Sequence, residues 1–146
     1  MPQAKQPAKR PAPYAFQYAA KFVCIANIPN TSATTDSLLP GVYETVVNVH
    51  NPHDRDVKFR AKVALGRQGL ISKFVDQGLG PDEVTRYVCR DLRETFELFP
   101  IHGAEGFLVI ESPDSLDVIA VYTAGPVGGE VASMDVETVR ERVLGA

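Results

Sequence analysis

Residues 41–65 read GVYETVVNVH, then NPHDRD, then VKFRAKVAL, and this stretch decides the fold class. Gly41–His50 and Val57–Leu65 each alternate between apolar and polar residues with a period of two. Both are rich in β-branched and aromatic side chains, so both read as strands. Asn51–Asp56 between them is a polar turn containing Pro52. Taken as a hairpin with Val49 facing Phe59, the pair has a dry face and a wet face. Tyr43, Thr45, Val47 and Val49 meet Phe59, Ala61, Val63 and Leu65 on the first. Glu44, Asn48 and His50 meet Lys58, Arg60 and Lys62 on the second.

The same reading extends outward. Residues 70–77 (LISKFVDQ) and Val84–Arg90 read as strands around a Gly-Leu-Gly-Pro-Asp turn at 78–82. Asp91–Phe96 reads as a short helical turn capped by Asp91. Gly106–Glu111 (GFLVIE) and Leu116–Thr123 (LDVIAVYT) form a second expected hairpin around Ser112–Ser115. Its residues are apolar on both faces: Leu108 and Ile110 against Phe107 and Val109, Val118 and Ala120 against Ile119 and Val121. Strands apolar on both sides are covered on both sides. One cover is the opposite layer, and the other is expected to be a neighbouring subunit. Val131–Val139 reads as a last strand with one apolar face, with a C-terminal helix as the alternative.

Upstream, residues 14–28 fit either period. Tyr14, Tyr18, Phe22 and Ile25 would share a helical stripe, whereas Phe16, Tyr18, Ala20, Phe22, Cys24, Ala26 and Ile28 would share a strand face. The Phe-Val-Cys-Ile run favours a strand over 20–28, and 29–41 (PNTSATTDSLLPG) is a loop. Residues 1–13 (MPQAKQPAKRPAP) hold four prolines, three cations and no core-forming run, and read as an extended arm. The expected organisation is therefore an arm at 1–13 and a domain at 14–146. The expected fold is all-β, a single antiparallel β-sandwich of about 7–9 strands.

Composition bounds the function. The chain has 146 residues with 45% hydrophobic and 23% charged residues, the balance of one globular domain. The net charge of −3 argues against nucleic acid as a partner, since phosphate binding needs a basic footprint. No apolar run reaches the roughly 18–20 residues of a membrane-spanning helix. The Met-Pro-Gln-Ala-Lys start lacks the apolar segment of a secretion signal, so the cytoplasm is the expected compartment, with export by an unusual route left open.

Candidate chemistry is sparse. Cys24 and Cys89 lie far apart and outside any C-x-x-C spacing. Burial tendency favours two reduced thiols in apolar strands. A bridge between strands is the alternative in an oxidising setting, and a nucleophilic role would need a base or cation the sequence does not identify. His50, His53 and Asp54 share one turn, but no third metal ligand is fixed by spacing. His102 stands apart. The scattered carboxylates Glu111, Asp114 and Asp117 define no cleft. No G-x-S-x-G or phosphate-loop motif is present. No cofactor or catalytic residue is therefore expected. Arg55, Lys58, Arg60 and Lys62 form a basic stripe as a candidate anionic-partner patch, against the plainer reading of a solvated strand face.

The segments YETVVNVHNPHDRDVKFRAKVAL, LGPDEVTRYVCRDL and GAEGFLVIESPDSLDVIAVYTA resemble a family of small uncharacterised bacterial all-β proteins over roughly residues 20–140. In layout they resemble, more distantly, the sensory rhodopsin transducer proteins. An asparagine turn, a strand running to Asp-Leu and a "VIES–P" hairpin recur there in the same order. The resemblance implies a self-associating β-sandwich with a non-enzymatic role. The Pro-rich arm and the two cysteines depart from the transducer pattern.

These readings converge on a structural or interaction protein that forms a homo-oligomer or filament through its sandwich and arm. The residues expected to carry self-association are Phe16, Tyr18, Leu108, Ile110, Val118, Ile119 and Val121. A second expectation is a ligand-binding module, taking a carbohydrate or other small molecule, in which tyrosines offer stacking surfaces.

Overall fold

A computed structural model describes residues 13–31, 38–66, 70–100 and 103–145. Arm residues 1–12, loop residues 32–37 and His102 lie outside the described residues. The chain runs β1 (Phe16–Asn27), β2 (Gly41–His50), β3 (Val57–Leu65), β4 (Val75–Leu79) and β5 (Val84–Tyr87). After a single helical turn, α1 (Asp91–Glu94), it continues through β6 (Ala104–Ser112), β7 (Asp117–Gly125), β8 (Ser133–Thr138) and β9 (Glu141–Val143). The strands follow an unclosed path β4-β3-β6-β1-β2-β7-β8, with β5 added to β2 and β9 to β1. Their pairings are antiparallel. The all-β expectation therefore holds.

β1 joins the two layers. Phe16–Cys24 pairs with β6, from Phe16↔Ser112 to Cys24↔Ala104, whereas Ile25–Asn27 pairs with β2. Tyr18, Ala20 and Phe22 are buried, as the even-numbered strand face requires, but Ile25 and Asn27 are buried next. The alternation slips between Phe22 and Ile25 because the chain passes there from one layer to the other. Thr45 fills the gap this leaves on β2. Its hydroxyl accepts from the Val23 N–H at 2.9 Å and donates to the Val23 carbonyl at 3.1 Å. Backbone groups that lose ladder partners at the crossing thus stay satisfied.

One continuous core fills the space between the layers. Tyr18, Phe22, Phe59, Val63, Leu108 and Ile110 come from the β4-β3-β6-β1 side, and Val47, Val49, Val118 and Ala120 from the β2-β7 side. A large apolar side chain taken fully out of water stabilises the fold by about 1.5–3 kcal/mol. Gly106 lets β3 and β6 approach closely, since a Cβ there would lie 2.0 Å from the Ala64 carbonyl oxygen.

Both expected hairpins are corrected by the structure. β2 pairs with β1, β5 and β7, and β3 pairs with β4 and β6. The faces of β2 and β3 were read correctly: Thr45, Val47, Val49, Phe59, Ala61 and Val63 are all buried. They meet across the core instead of side by side. Alternation is the same in either arrangement, and a six-residue connection does not force adjacent pairing as a two-residue turn would. The β6–β7 segment behaves likewise, with β6 against β1 and β3 while β7 lies between β2 and β8.

The bend after β2 is fixed by Asn51, which is fully buried. Its Nδ2 donates to the carbonyls of Arg55 (2.8 Å), Leu79 (3.2 Å) and Gly80 (2.9 Å), and its Oδ1 accepts from the His53 N–H at 3.0 Å. This draws the 51–56 bend onto the β4–β5 turn. Smaller differences from the sequence reading are local. β4 begins only at Val75, after an isolated bridge between Ala64 and Ile71. Asp91 is the first residue of α1 rather than its cap, and its carboxylate accepts from the Val88 N–H and the Thr95 hydroxyl. β9, three residues long, carries too short a pattern to be read from sequence.

Candidate functional site

The outward face of the β2-β7-β8 layer is where the structure places unpartnered apolar surface. Register sets its rows. Val46 lies beside Val121, which lies beside Val136; Asn48, Ile119 and Thr138 form the next row, and Glu44, Thr123 and Met134 the row on the other side. Val118 and Ala120, one step out of phase, point into the core. Ile119 and Val121 thus face away from it, as the two-sided apolar reading required.

β8 sharpens this. Ser133, Asp135 and Glu137 share the side of Ala124, Tyr122 and Ala120, which is the inner side of the layer. Met134 and Val136 occupy the outer side, 65% and 57% exposed. An edge strand of a free-standing sandwich points its apolar residues inward and its charges outward; β8 does the reverse. The apolar alternation of 131–139 was legible in the sequence, but the side it would face was not.

The other self-association residues are distributed differently. Tyr18, Leu108, Ile110 and Val118 are at most 2% exposed and belong to the protomer's own core. Phe16 is half-buried, at the point where β1 pairs with both β6 and β9. A sequence apolar on both faces says that both are covered, not which residue belongs to which face. Tyr18 also carries a polar role. Its hydroxyl accepts from the Leu116 N–H at 2.7 Å and donates to Glu141 at 2.6 Å, tying β9 to the β6–β7 connection. Burial, and then the Glu141 carboxylate, push the Tyr18 pKa up to about 12. Hydrogen bonds from Ser115 and Tyr18 lower that of Glu141.

The basic stripe is not an open patch. Arg60 binds Glu111 through Nη2 at 2.6 Å, and its guanidinium lies 4.1 Å and 3.8 Å from the ring centres of Tyr14 and Phe74. Lys62 sits 4.6 Å from the Phe74 ring centre, and Arg55 pairs with Asp114. Lys58 alone of the four has no ion-pair or ring partner among the described residues. The expected charge pairing of this stripe with Glu44 and His50 is absent, because β2 and β3 lie in opposite layers.

Parts of the three segments quoted above, around His50, Asp82 and Asp117, converge at one end of the sandwich. His50 lies between two carboxylates, with Nε2 2.6 Å from Asp82 and Nδ1 2.8 Å from Asp117. Both ring nitrogens can donate at once only in the imidazolium, so the Asp117 and then the Asp82 hydrogen bond raise the His50 pKa. A ring held this way has no free nitrogen lone pair with which to act as a base. His53 turns elsewhere, with Nε2 2.7 Å from the Ser115 carbonyl. Among the described residues, no three His, Cys, Asp or Glu side chains are grouped to hold a metal ion.

Cys24 and Cys89 are joined as a disulfide, with Cα atoms 5.7 Å apart, in place of the two reduced thiols that burial tendency favoured. Cys24 stands where β1 crosses between layers, and Cys89 follows β5. β1 and β5 share one edge of β2, at residues 41–43 and 47–50. The bridge closes the notch between them. Spacing 65 residues apart gave the sequence no means of bringing the two sulfurs together.

The chain matches no protein-family model, no curated protein and no solved structure.

Proposed function

We propose that this chain is a non-enzymatic structural or interaction protein that self-associates, two copies meeting through the outward face of β2, β7 and β8. The reversed polarity of β8 carries this reading. Val46, Ile119, Val121, Met134 and Val136 make one apolar strip that no element of the chain covers among the described residues. At about 4.8 Å between strands and about 3.4 Å per residue, β2, β7 and β8 with 10, 9 and 6 residues present roughly 400 Å². Two such faces together bury roughly 800 Å², the size of a weak, reversible contact.

A second copy is the favoured occupant because the face is self-complementary. Arg86, beside Asn48, lies toward one end of β2, and Glu44 toward the other. A two-fold axis crossing the strands near Val46 and Val121 sets Arg86 of one copy near Glu44 of the next. The resemblance to self-associating β-sandwich families supports the same reading. The Cys24–Cys89 bridge supports the exported alternative for localisation, since disulfides persist in oxidising compartments.

Sedimentation velocity over a concentration series tests the proposal. Val136→Lys and Met134→Lys place a cation on the strip at exposed edge-strand positions, where the protomer fold tolerates it. An uncompensated buried charge costs about 3 kcal/mol or more, over a hundredfold in Kd. Wild type should associate and both variants should remain monomeric with unchanged circular dichroism. A wild-type monomer at millimolar concentration, or association untouched by both substitutions, overturns the reading.

A second reading, a carbohydrate-binding module, rests on the cleft beside β4. Tyr14, Lys58, Asp76 and Gln77 surround an opening floored by Gly78, where a Cβ would meet nothing within 4 Å. A ring to stack on and polar groups beside it suit a sugar. A blank glycan array would remove it.

A further inference from the structure

The Cys24–Cys89 bridge is only half-buried, and two clefts meet it. One, of about 180 Å³, is lined by Cys24, Ile25, Val42 and Tyr43 along with Cys89, and carries no cation. The other, of about 340 Å³, is lined by Cys89, Arg90, Leu92, Arg93 and Leu98, but not by Cys24. A nucleophile entering the larger cleft therefore meets the sulfur of Cys89.

That cleft is positively charged, in a chain whose net charge is −3. Arg90 stands at the head of α1 and Arg93 follows three residues on, so both side chains leave the same side of the helical turn. Both are exposed, and neither forms an ion pair among the described residues. The Arg93 guanidinium lies 5.8 Å from the Phe99 ring centre, a contact that leaves its N–H donors free. Glu94 is the one carboxylate in the lining. Asp91, the other acid of this turn, is occupied by the Val88 N–H and the Thr95 hydroxyl. Closing the notch between β1 and β5 explains why the two cysteines meet. It does not explain why two unpaired cations share a cleft with one of the sulfurs.

We infer that this cleft is a thiol-exchange site, that its ligand is a small thiol bearing carboxylates, of the glutathione type, and that Cys89 is the sulfur attacked. The incoming thiolate forms a new S–S bond to Cys89 Sγ. The Cys24–Cys89 bond breaks, and its electron pair leaves with Cys24 as a thiolate, which takes a proton from water. A second thiolate attacking the mixed disulfide releases the oxidised small thiol and frees Cys89, so two electrons pass from two thiols to the bridge. The thiolate is the reactive form, and a cationic cleft concentrates it. Guanidinium forks also hold carboxylates bidentately, which seats such a thiol beside its target.

The test uses the full oxidised chain at neutral pH with excess glutathione, or with glutathione diethyl ester, whose carboxylates are masked. Timed samples are quenched with iodoacetamide, and peptide mass spectrometry locates each group. Early samples should carry glutathione on Cys89 and the alkyl group on Cys24. Per thiolate, glutathione should open the bridge about fivefold faster than its ester, the reach of two exposed ion pairs. Arg90→Gln with Arg93→Gln should bring the two thiols to equal rates, with circular dichroism unchanged because both positions are exposed. In Cys24→Ala, where no neighbouring thiol can reverse the reaction, oxidised glutathione should modify Cys89 with the same dependence on the arginines. A first adduct on Cys24, equal rates for the two thiols, a preference that survives the double substitution, or a bridge that glutathione leaves intact overturns the inference.

Discussion

Removing the Cys24–Cys89 bridge should cost this domain a large part of its stability. The bridged residues are 65 positions apart. On the chain-entropy account, closing a loop of that length in the unfolded state is worth about 4 kcal/mol. A domain of 146 residues gains about 0.3 kcal/mol per kelvin of entropy on thermal unfolding. The Cys24→Ala, Cys89→Ala double variant should therefore melt about 12 °C below wild type by scanning calorimetry. Hydrogen exchange adds a spatial check. The bridge holds β1 and β5 to a common edge of β2, so amides of β5 should lose more protection than those of β6, which is paired along its length with β1 and β3. A melting shift under about 3 °C, against the loop-closure figure above, would refute the reasoning. So would two titratable thiols in native, unreduced protein.

Two further outcomes follow from the polar contacts. The folded pKa of His50 is raised, so the stability it confers is fully present below its unfolded value near 6.5 and fades as pH rises through the folded value. An NMR titration of the His50 ring should show this upward shift, reduced in Asp117→Asn more than in Asp82→Asn; an unshifted ring in wild type would count against the bridged geometry. Asn51→Ala strips partners from three carbonyls and one N–H in a buried bend and should cost about 3 kcal/mol in urea unfolding. A loss below about 1 kcal/mol would show that water replaces the side chain without penalty.

The alternation of GVYETVVNVH and VKFRAKVAL determined that these segments are strands and which face of each is dry, because a period of two needs only local sequence. For Val118 and Ala120 against Ile119 and Val121 the period separated two faces, but both are apolar and it did not say which one enters the core. The pairing partner was not determined. A dry face is equally satisfied by a neighbour in its own sheet and by the opposite layer, and a six-residue bend permits both. Only the tertiary structure sent β3 and β6 to one layer and β2 and β7 to the other. That placement in turn joined Cys24 to Cys89, paired Arg60 with Glu111 and set His50 between two aspartates. It also turned the apolar side of β8 outward. The sequence shows Met134 and Val136 on one face, but which way an edge strand faces depends on the register with β7, a contact that local pattern does not encode.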